Sequence, residues 1–225
     1  MPGIFVTGTG TGVGKTILSA ALLAAMRAAG KPVRAHKPIV TGLDEPSGRW
    51  PADHKLLALA AGMRPDEVAP LRYGPAVSPH LASALAKEQI EPAQLIENAR
   101  AAQEGSGTLI VEGIGGLLVP LTDDFTVRDL ALELGLPMLI AAPPGLGTIN
   151  HTLLTLHAAR SVELDVRGVV LTPWPEQPSA MERSNRDTLS RLGAIEVSGL
   201  PYIADGNHLA LAQAGARLPL TNWLP

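Results

Sequence analysis

Four glycines alternate with other residues through Gly8-Thr9-Gly10-Thr11-Gly12-Val13-Gly14-Lys15-Thr16. Ahead of them stands the short apolar run Ile4-Phe5-Val6-Thr7, and behind them an Ala/Leu-rich stretch from Thr16 to Ala29 that Gly30 closes. An apolar β-branched run, a glycine loop and a helix former read as strand, loop, helix. Glycine amides with no Cβ in the way can curl round a phosphate. The helix N-terminus adds partial positive charge, Lys15 a full one, and the Thr16 hydroxyl an oxygen for a divalent cation. The spacing is a variant, with five residues between Gly8 and Gly14 where the strict G-x-x-x-x-G-K-[ST] pattern has four. The dinucleotide pattern G-x-G-x-x-G is not matched.

The rest of the chain fits a sheet built around that unit. Val33 to Ile39, Thr108 to Val111, Met138 to Ala142 and Val166 to Leu171 are nearly unbroken apolar runs, and a last strand is expected near Ile195 to Val197. Such runs suit parallel strands buried on both faces. Helical patterns fall near Asp53 to Ala61, Pro79 to Ala86, Pro92 to Gln103, Thr126 to Leu134, Asn150 to Ala159 and His208 to Ala214, before a Pro-punctuated tail. The alternation predicts a single α/β domain over residues 1–225, a mostly parallel sheet with helices on both faces. In such sheets the loops at the carboxyl ends of the strands converge on the ligand.

With 46% apolar and 17% charged residues, the chain can close a core. It has no cysteine, which excludes a disulfide framework, a thiolate nucleophile and a Cys-based metal centre. A net charge of −3 and 3% aromatics leave neither the positive field nor the stacking platforms that nucleic acid requires. No signal-peptide pattern opens the sequence, and no apolar run approaches membrane-spanning length. A soluble cytoplasmic protein is the expectation.

Candidate site residues follow from position. Glu112 ends the run Thr108-Leu109-Ile110-Val111 and precedes Gly113 and Gly115-Gly116, so its carboxylate is expected at the sheet's carboxyl edge, where phosphoryl chemistry needs a metal ligand. Asp53 reads equally as a second metal carboxylate and as the N-cap of the helix that follows it. Lys37, near the end of an otherwise apolar strand, must reach the crevice or find a partner, and Thr41 beyond it either offers a hydroxyl or closes a turn with Gly42. His36, His54, His80 and His151 show no metal-ligand spacing and are expected to be structural. Gly145-Leu146-Gly147-Thr148-Ile149-Asn150-His151 opens a helix after a strand, either a second anion nest or an ordinary turn capped by Thr148.

Taken in order, these motifs resemble one family. Thr7-Gly8-Thr9 through Gly14-Lys15-Thr16, His36-Lys37-Pro38 with Thr41-Gly42, Ser78-Pro79-His80, Val111-Glu112-Gly113 with Gly115-Gly116, and Gly147-Thr148-Ile149-Asn150-His151 occur in the register of dethiobiotin synthetases. The resemblance runs from Ile4 to about Ile203. It implies a P-loop-type ligase that uses ATP and Mg²⁺ to join CO₂ to 7,8-diaminopelargonate. Implied roles are Lys15 and Thr11 with Lys37 in catalysis, Lys37 on the carbamate, and Thr16, Asp53 and Glu112 on Mg²⁺. Gly12, Val13, Gly14, Ile17, Gly115, Thr172, Pro201, Tyr202 and Ile203 are implied to surround the nucleotide. Thr41 is implied to contact the diamine. The family's homodimer implies that Gly147, Thr148, Ile149 and Asn150 of one subunit receive the substrate's carboxylate tail from the other.

Three positions depart from the family pattern. Gly12 stands where many relatives have an acidic residue, and Thr172 where relatives have an Asn that reads the adenine edge. Trp174 is flanked by Pro173 and Pro175. The Thr172 change predicts weakened base discrimination, because one hydroxyl replaces a paired amide donor and acceptor. Tyr202 reads as a base neighbour or as plain core. A P-loop nucleotide switch of the partitioning or maturation type is the alternative reading, and an amidoligase relative or a small-molecule kinase are further ones. Lys37 with Thr41 separates them, since a switch has little use for a cation aimed past the γ-phosphate.

Overall fold

The computed structural model describes residues 2–46, 48–204 and 206–224. In chain order the elements are β1 (Gly3–Gly8), α1 (Lys15–Ala28), β2 (Val33–His36), β3 (Ile39–Val40), α2 (Asp53–Ala61), α3 (Pro65–Val68) and β4 (Leu71–Arg72). Then come α4 (Pro79–Ala86), α5 (Pro92–Glu104), β5 (Thr108–Glu112), α6 (Val127–Leu134), β6 (Met138–Ala142) and α7 (Thr148–Arg160). The chain finishes with β7 (Val166–Trp174), α8 (Ala180–Gly193), β8 (Val197–Pro201), α9 (His208–Gly215) and α10 (Leu220–Trp223).

Six strands form one sheet in the order β2-β5-β1-β6-β7-β8, with all neighbours parallel. Alternation along each strand divides the apolar residues between two cores. Ile4, Val6, Ile110, Leu139, Ala141 and Val170 face α1, α2 and α9. Phe5, Leu109, Val111, Met138, Ile140, Val169 and Leu171 face the other side, where α5, α6, α7 and α8 pack. Burial on both sides is what the unbroken apolar runs require. Each fully buried large side chain contributes about 1.5–3 kcal/mol. Against α1, helix α9 comes so close that a Cβ on Gly215 would lie 2.1 Å from the Ala21 carbonyl oxygen.

Four details differ from the sequence expectation. The strand expected from Val33 to Ile39 stops at His36. Lys37 N–H turns away to the Val68 carbonyl (2.8 Å), Pro38 has no N–H to continue the ladder, and Ile39–Val40 pairs with β4 in a separate two-stranded sheet. The last strand begins at Val197 and runs to Pro201, because Ile195 closes the end of α8 through Ser190 on both its N–H and its carbonyl. Helix α8 itself lies in a polar stretch without a clear apolar run. Its signal is the capping box Ser179–Glu182, in which Ser179 Oγ accepts from Glu182 N–H (3.3 Å). The tail, read from sequence only as Pro-punctuated, carries α10, whose Trp223 is 1% exposed beneath Gly168.

β1 is flanked by β5 on one side and β6 on the other, so the sheet's order reverses direction at its carboxyl end. That crevice is where open α/β sheets bind ligands. No helix among the described residues is long and apolar enough to cross a membrane.

Candidate active site

The loop after β1 is shaped by its glycines. Gly12 (φ 75°) and Gly14 (φ 90°) occupy the left-handed region, and a Cβ on Gly14 would lie 2.6 Å from Thr172 Cγ2. Gly14 is the N-cap of α1 and offers no side-chain cap, which leaves the first-turn N–H groups for an anion. Lys15 Nζ folds back over the loop and donates to the Gly10 carbonyl (2.7 Å).

Burial, and then the neighbouring Lys37 charge, push the Lys15 ammonium down to about 8, against the opposing pull of Glu112 and Asp53. Above pH 8 the free protein's Lys15 is therefore largely neutral, and a phosphate that binds it restores the charged form. Nucleotide affinity should fall as pH rises through 8, with uptake of up to about one proton on binding at pH 8.5. Calorimetry in two buffers of different ionisation enthalpy measures this uptake, and zero uptake would contradict a phosphate seated on Lys15.

Behind the loop lies a buried charge cluster drawn from three separate elements. Glu112, at the end of β5, is 0% exposed; its Oε1 accepts from Lys37 Nζ (2.6 Å) and Thr16 Oγ1 (2.8 Å). Lys37 is 2% exposed and also reaches Asp53 Oδ2 (3.1 Å) and the Gly113 carbonyl (3.3 Å). Burial opposes charge on Lys37 most strongly, yet Glu112 and Asp53 together outweigh it and hold its pKa above the usual value. Asp53 feels the converse: burial raises it, but Lys37, Thr16 and Lys15 leave its pKa lowered on balance. At neutral pH Lys37 and Asp53 are both ionised. Asp53 is the first residue of α2, with Ala52 as N-cap and no side-chain cap, so its carboxylate serves the cluster and the N-cap reading falls.

A cavity of about 590 Å³ opens over this cluster, lined by Thr11, Gly12, Gly14, Lys15, Thr16, Ile17, Lys37, Thr41, Asp53 and Gly115. Sequence reasoning missed its other walls. Trp50, Pro51 and Leu56 come from the start of α2 and the loop before it, and Ala76 to Pro79 from the entry to α4. Their only sequence signals were the Trp-Pro pair ahead of Asp53 and the Ser78-Pro79-His80 motif.

Several expected residues lie outside that cavity. Val13 packs on the core beneath the loop. Thr172, 3% exposed, is buried against Gly14. Pro201 ends β8. Ile203 is buried, and Tyr202 is 59% exposed with the Arg49 guanidinium over its ring (5.6 Å to the centroid), so Tyr202 is not core. Trp174 packs over Gly199 and under the Arg186 guanidinium (5.5 Å). Gly147, Thr148, Ile149 and Asn150 open α7 away from the cavity. Gly147 (φ 90°) is the N-cap, Thr148 is a buried first-turn residue and not the cap, and the neighbouring Leu146 is 94% exposed. His36 is buried; burial first, and then Arg34, push it down to about 4, so it is neutral at pH 7 and no acid–base catalyst there.

The donors offered to a metal are Thr16 Oγ1 and the carboxylates of Glu112 and Asp53. These are hard oxygens, and Glu112 Oε2 is buried with no hydrogen-bond partner among the described residues. No cluster of three or more His, Cys, Asp or Glu ligands occurs among those residues. Two carboxylates and a hydroxyl fit an ion such as Mg²⁺, which takes few protein ligands and relies on phosphate oxygens and water for the rest.

Fold and site together define a nucleotide-binding protein of the P-loop NTPase class, and solved structures share the fold. The chain aligns with the MinC:MinD cell division protein complex of Aquifex aeolicus at TM-score 0.59 and 12% identity, over 96% of this chain and 95% of that one. It aligns with apo McdA from Cyanthece at TM-score 0.54 and 12% identity, over 94% and 90%. At that identity only the fold is shared. A family model described as an AAA domain matches residues 2–207. The ATP-dependent dethiobiotin synthetase of Mycobacterium sp. (strain KMS) is 41% identical over 224 residues, covering 98% of this chain and 97% of the relative. That of Rhodococcus jostii (strain RHA1) is 39% identical over 215 residues, covering 95% and 91%. The chain belongs to the ATP-dependent dethiobiotin synthetase family, C–N ligases of biotin biosynthesis. The switch, amidoligase and kinase readings are thereby set aside.

Proposed function

We propose that the chain converts 7,8-diaminopelargonate, CO₂ and ATP to dethiobiotin, ADP and phosphate, with Mg²⁺ as the metal, in the cytoplasm. One amine adds to CO₂ and loses a proton to give a carbamate. A carbamate oxygen attacks the γ-phosphorus as the bond to ADP breaks, giving a carbamic–phosphoric anhydride. The second amine attacks the carbamoyl carbon, closes the ureido ring and expels phosphate. Nearly all of this is positioning and charge neutralisation.

The observation that carries the reading is Lys37: a fully buried ammonium held at the cavity floor, beyond the phosphate loop, between Glu112 and Asp53. A cation there neutralises the carbamate and the charge that develops during phosphoryl transfer. Lys15 and the loop amides grip the phosphates, and Thr11, on the cavity wall, orients the terminal group. Thr16, Asp53 and Glu112 would hold Mg²⁺, which would supply neutralisation of the phosphate charge. Thr41 contacts the diamine. The Gly147–Asn150 turn, whose ends Gly147 and Asn150 are exposed beside Leu146 and which lies outside the cavity of its own chain, is read as meeting the substrate's carboxylate tail across a homodimer. A helix N-terminus suits a carboxylate.

The test is phosphate release with diamine and bicarbonate each supplied or withheld. Release only with both supports ligation; release with neither overturns it.

Thr172 and the segment Pro201-Tyr202-Ile203 are assigned to the nucleotide's base. A buried single hydroxyl supports poor discrimination there, and Gly12 takes a negative group out of the loop. Guanosine, cytidine and uridine triphosphates are therefore expected to support turnover within about ten-fold of ATP, since losing one paired contact is worth about 1–2 kcal/mol. Restoring the family's residue with Thr172→Asn should sharpen ATP preference, and equal-concentration rates already showing strict ATP selectivity in the unaltered protein would refute the reading.

A further inference from the structure

A second cavity of about 400 Å³ lies at the amino ends of β2 and β5, the opposite edge of the sheet from the phosphate loop. Arg27 from the last turn of α1, Lys31 from the loop after it and Arg34 of β2 converge there over an apolar floor that includes Val33 and Met63, with Ser106 on the rim. None of the three cations is ion-paired to a carboxylate among the described residues. The one acidic wall residue, Glu67, is already engaged by Arg64 through Nη2 (3.1 Å), Nε (3.2 Å) and the backbone N–H (3.0 Å).

Both guanidinium groups have built seats. A Cβ on Gly62 would lie 2.8 Å from Arg27 Cζ, and one on Gly105 would lie 2.3 Å from Arg34 Nη1. Arg34 Nε is buried and has no hydrogen-bond partner among the described residues. A bland explanation covers part of this arrangement: Arg27 Nη1 lies 3.4 Å from the Leu59 carbonyl and so serves the end of α2. That uses one of its five N–H donors and none of those on Arg34.

We propose that this cavity is a binding site for a compact polyphosphate group. The wall presents many donors, and its one carboxylate is already occupied, which selects a ligand made of acceptor oxygens. Guanidinium forks match phosphate oxygens in pairs, and the volume exceeds what one phosphate fills. The carbonyl ends of α1 and α2 also point toward this region and oppose an anion, so the three side chains must supply the attraction, and salt must weaken it. The group is either free or carried on a nucleotide. This inference does not depend on the reaction proposed above.

The probe is inorganic pyrophosphate, titrated calorimetrically without added metal into the full chain carrying Lys15→Ala, which removes the phosphate loop's main cation. One saturable site is expected to remain and to weaken about ten-fold or more when Arg27→Gln and Arg34→Gln are added, the loss expected for charge-assisted pairs. Lys31→Gln, at an exposed position that tolerates change, should weaken the same site several-fold with an unaltered melting curve, which keeps the test decisive if the double variant misfolds. A parallel titration with ATP distinguishes sources: binding of pyrophosphate alone assigns a free ligand, and binding of both assigns a group carried on nucleotide. No saturable binding in the Lys15→Ala protein, or binding indifferent to Lys31→Gln and to the arginine changes, overturns the site.

Discussion

Lys37→Ala is expected to lower kcat roughly a thousand-fold, the scale seen when one preorganised donor to developing charge is removed. The same change should destabilise the fold. Glu112 is 0% exposed, and without Lys37 its carboxyl group keeps, among the described residues, only the Thr16 hydroxyl as a partner. Removing one member of a buried pair costs about 3–5 kcal/mol. Activity and stability are separated by Lys37→Arg, which returns a positive charge to Glu112 and Asp53 but brings a planar fork into a space shaped for an ammonium. Stability should largely recover while turnover stays low. Phosphate release by correctly folded variants, with denaturant unfolding in parallel, measures both. Undiminished turnover in folded Lys37→Ala would remove it from catalysis.

Gly14→Ala attacks the same site from the other side. At φ 90° an L residue is strained, and the new Cβ would sit 2.6 Å from Thr172 Cγ2, too close to stand unless the loop or the Thr172 side chain shifts. Left-handed strain of about 1–2 kcal/mol and overpacking of about 1–3 kcal/mol give an expected loss of about 2–5 kcal/mol. Because the residue caps α1, the displacement shifts the amides that would face a phosphate. Nucleotide affinity should fall by more than about ten-fold. Adding Thr172→Ser removes the clashing methyl but not the strained φ, so about half of the stability should return, a coupling a double-mutant cycle reads directly. Wild-type nucleotide affinity in Gly14→Ala would mean that this loop does not cradle phosphate.

Lys37, Asp53 and Glu112 show where sequence reading stops. Each was legible as a candidate by its place at a strand or helix end. Their mutual arrangement was not, because Lys37 and Glu112 stand 75 positions apart and meet only through strand order. Asp53 was ambiguous for a local reason: an acidic residue before an apolar helix suits an N-cap and a metal site alike, and only a cation 3.1 Å away decides between them. Helix α8 was missed because its face toward the core is thin, with Asn185, Leu189 and Gly193 its only buried residues, too few for a clear apolar period. The contact of Thr172 with Gly14 had no sequence signal at all, since packing between a strand end and a distant loop leaves no periodic trace.

What the sequence alone determined were the features set by short-range chemistry. These are the strand–glycine loop–helix unit, the unbroken apolar strands that demand a sheet covered on both faces, and the residue types available for phosphate and metal. The tertiary structure decided which of them meet. Placing β5 between β2 and β1 brings the residue after β2 against the end of β5 and beside the start of α1, so one carboxylate binds both Lys37 and Thr16. Strand order also left Gly147–Asn150 outside the cavity of its own chain. Spacing along a chain fixes local geometry, but the meeting of distant charges follows from how buried surfaces stack, which is a property of the whole sheet.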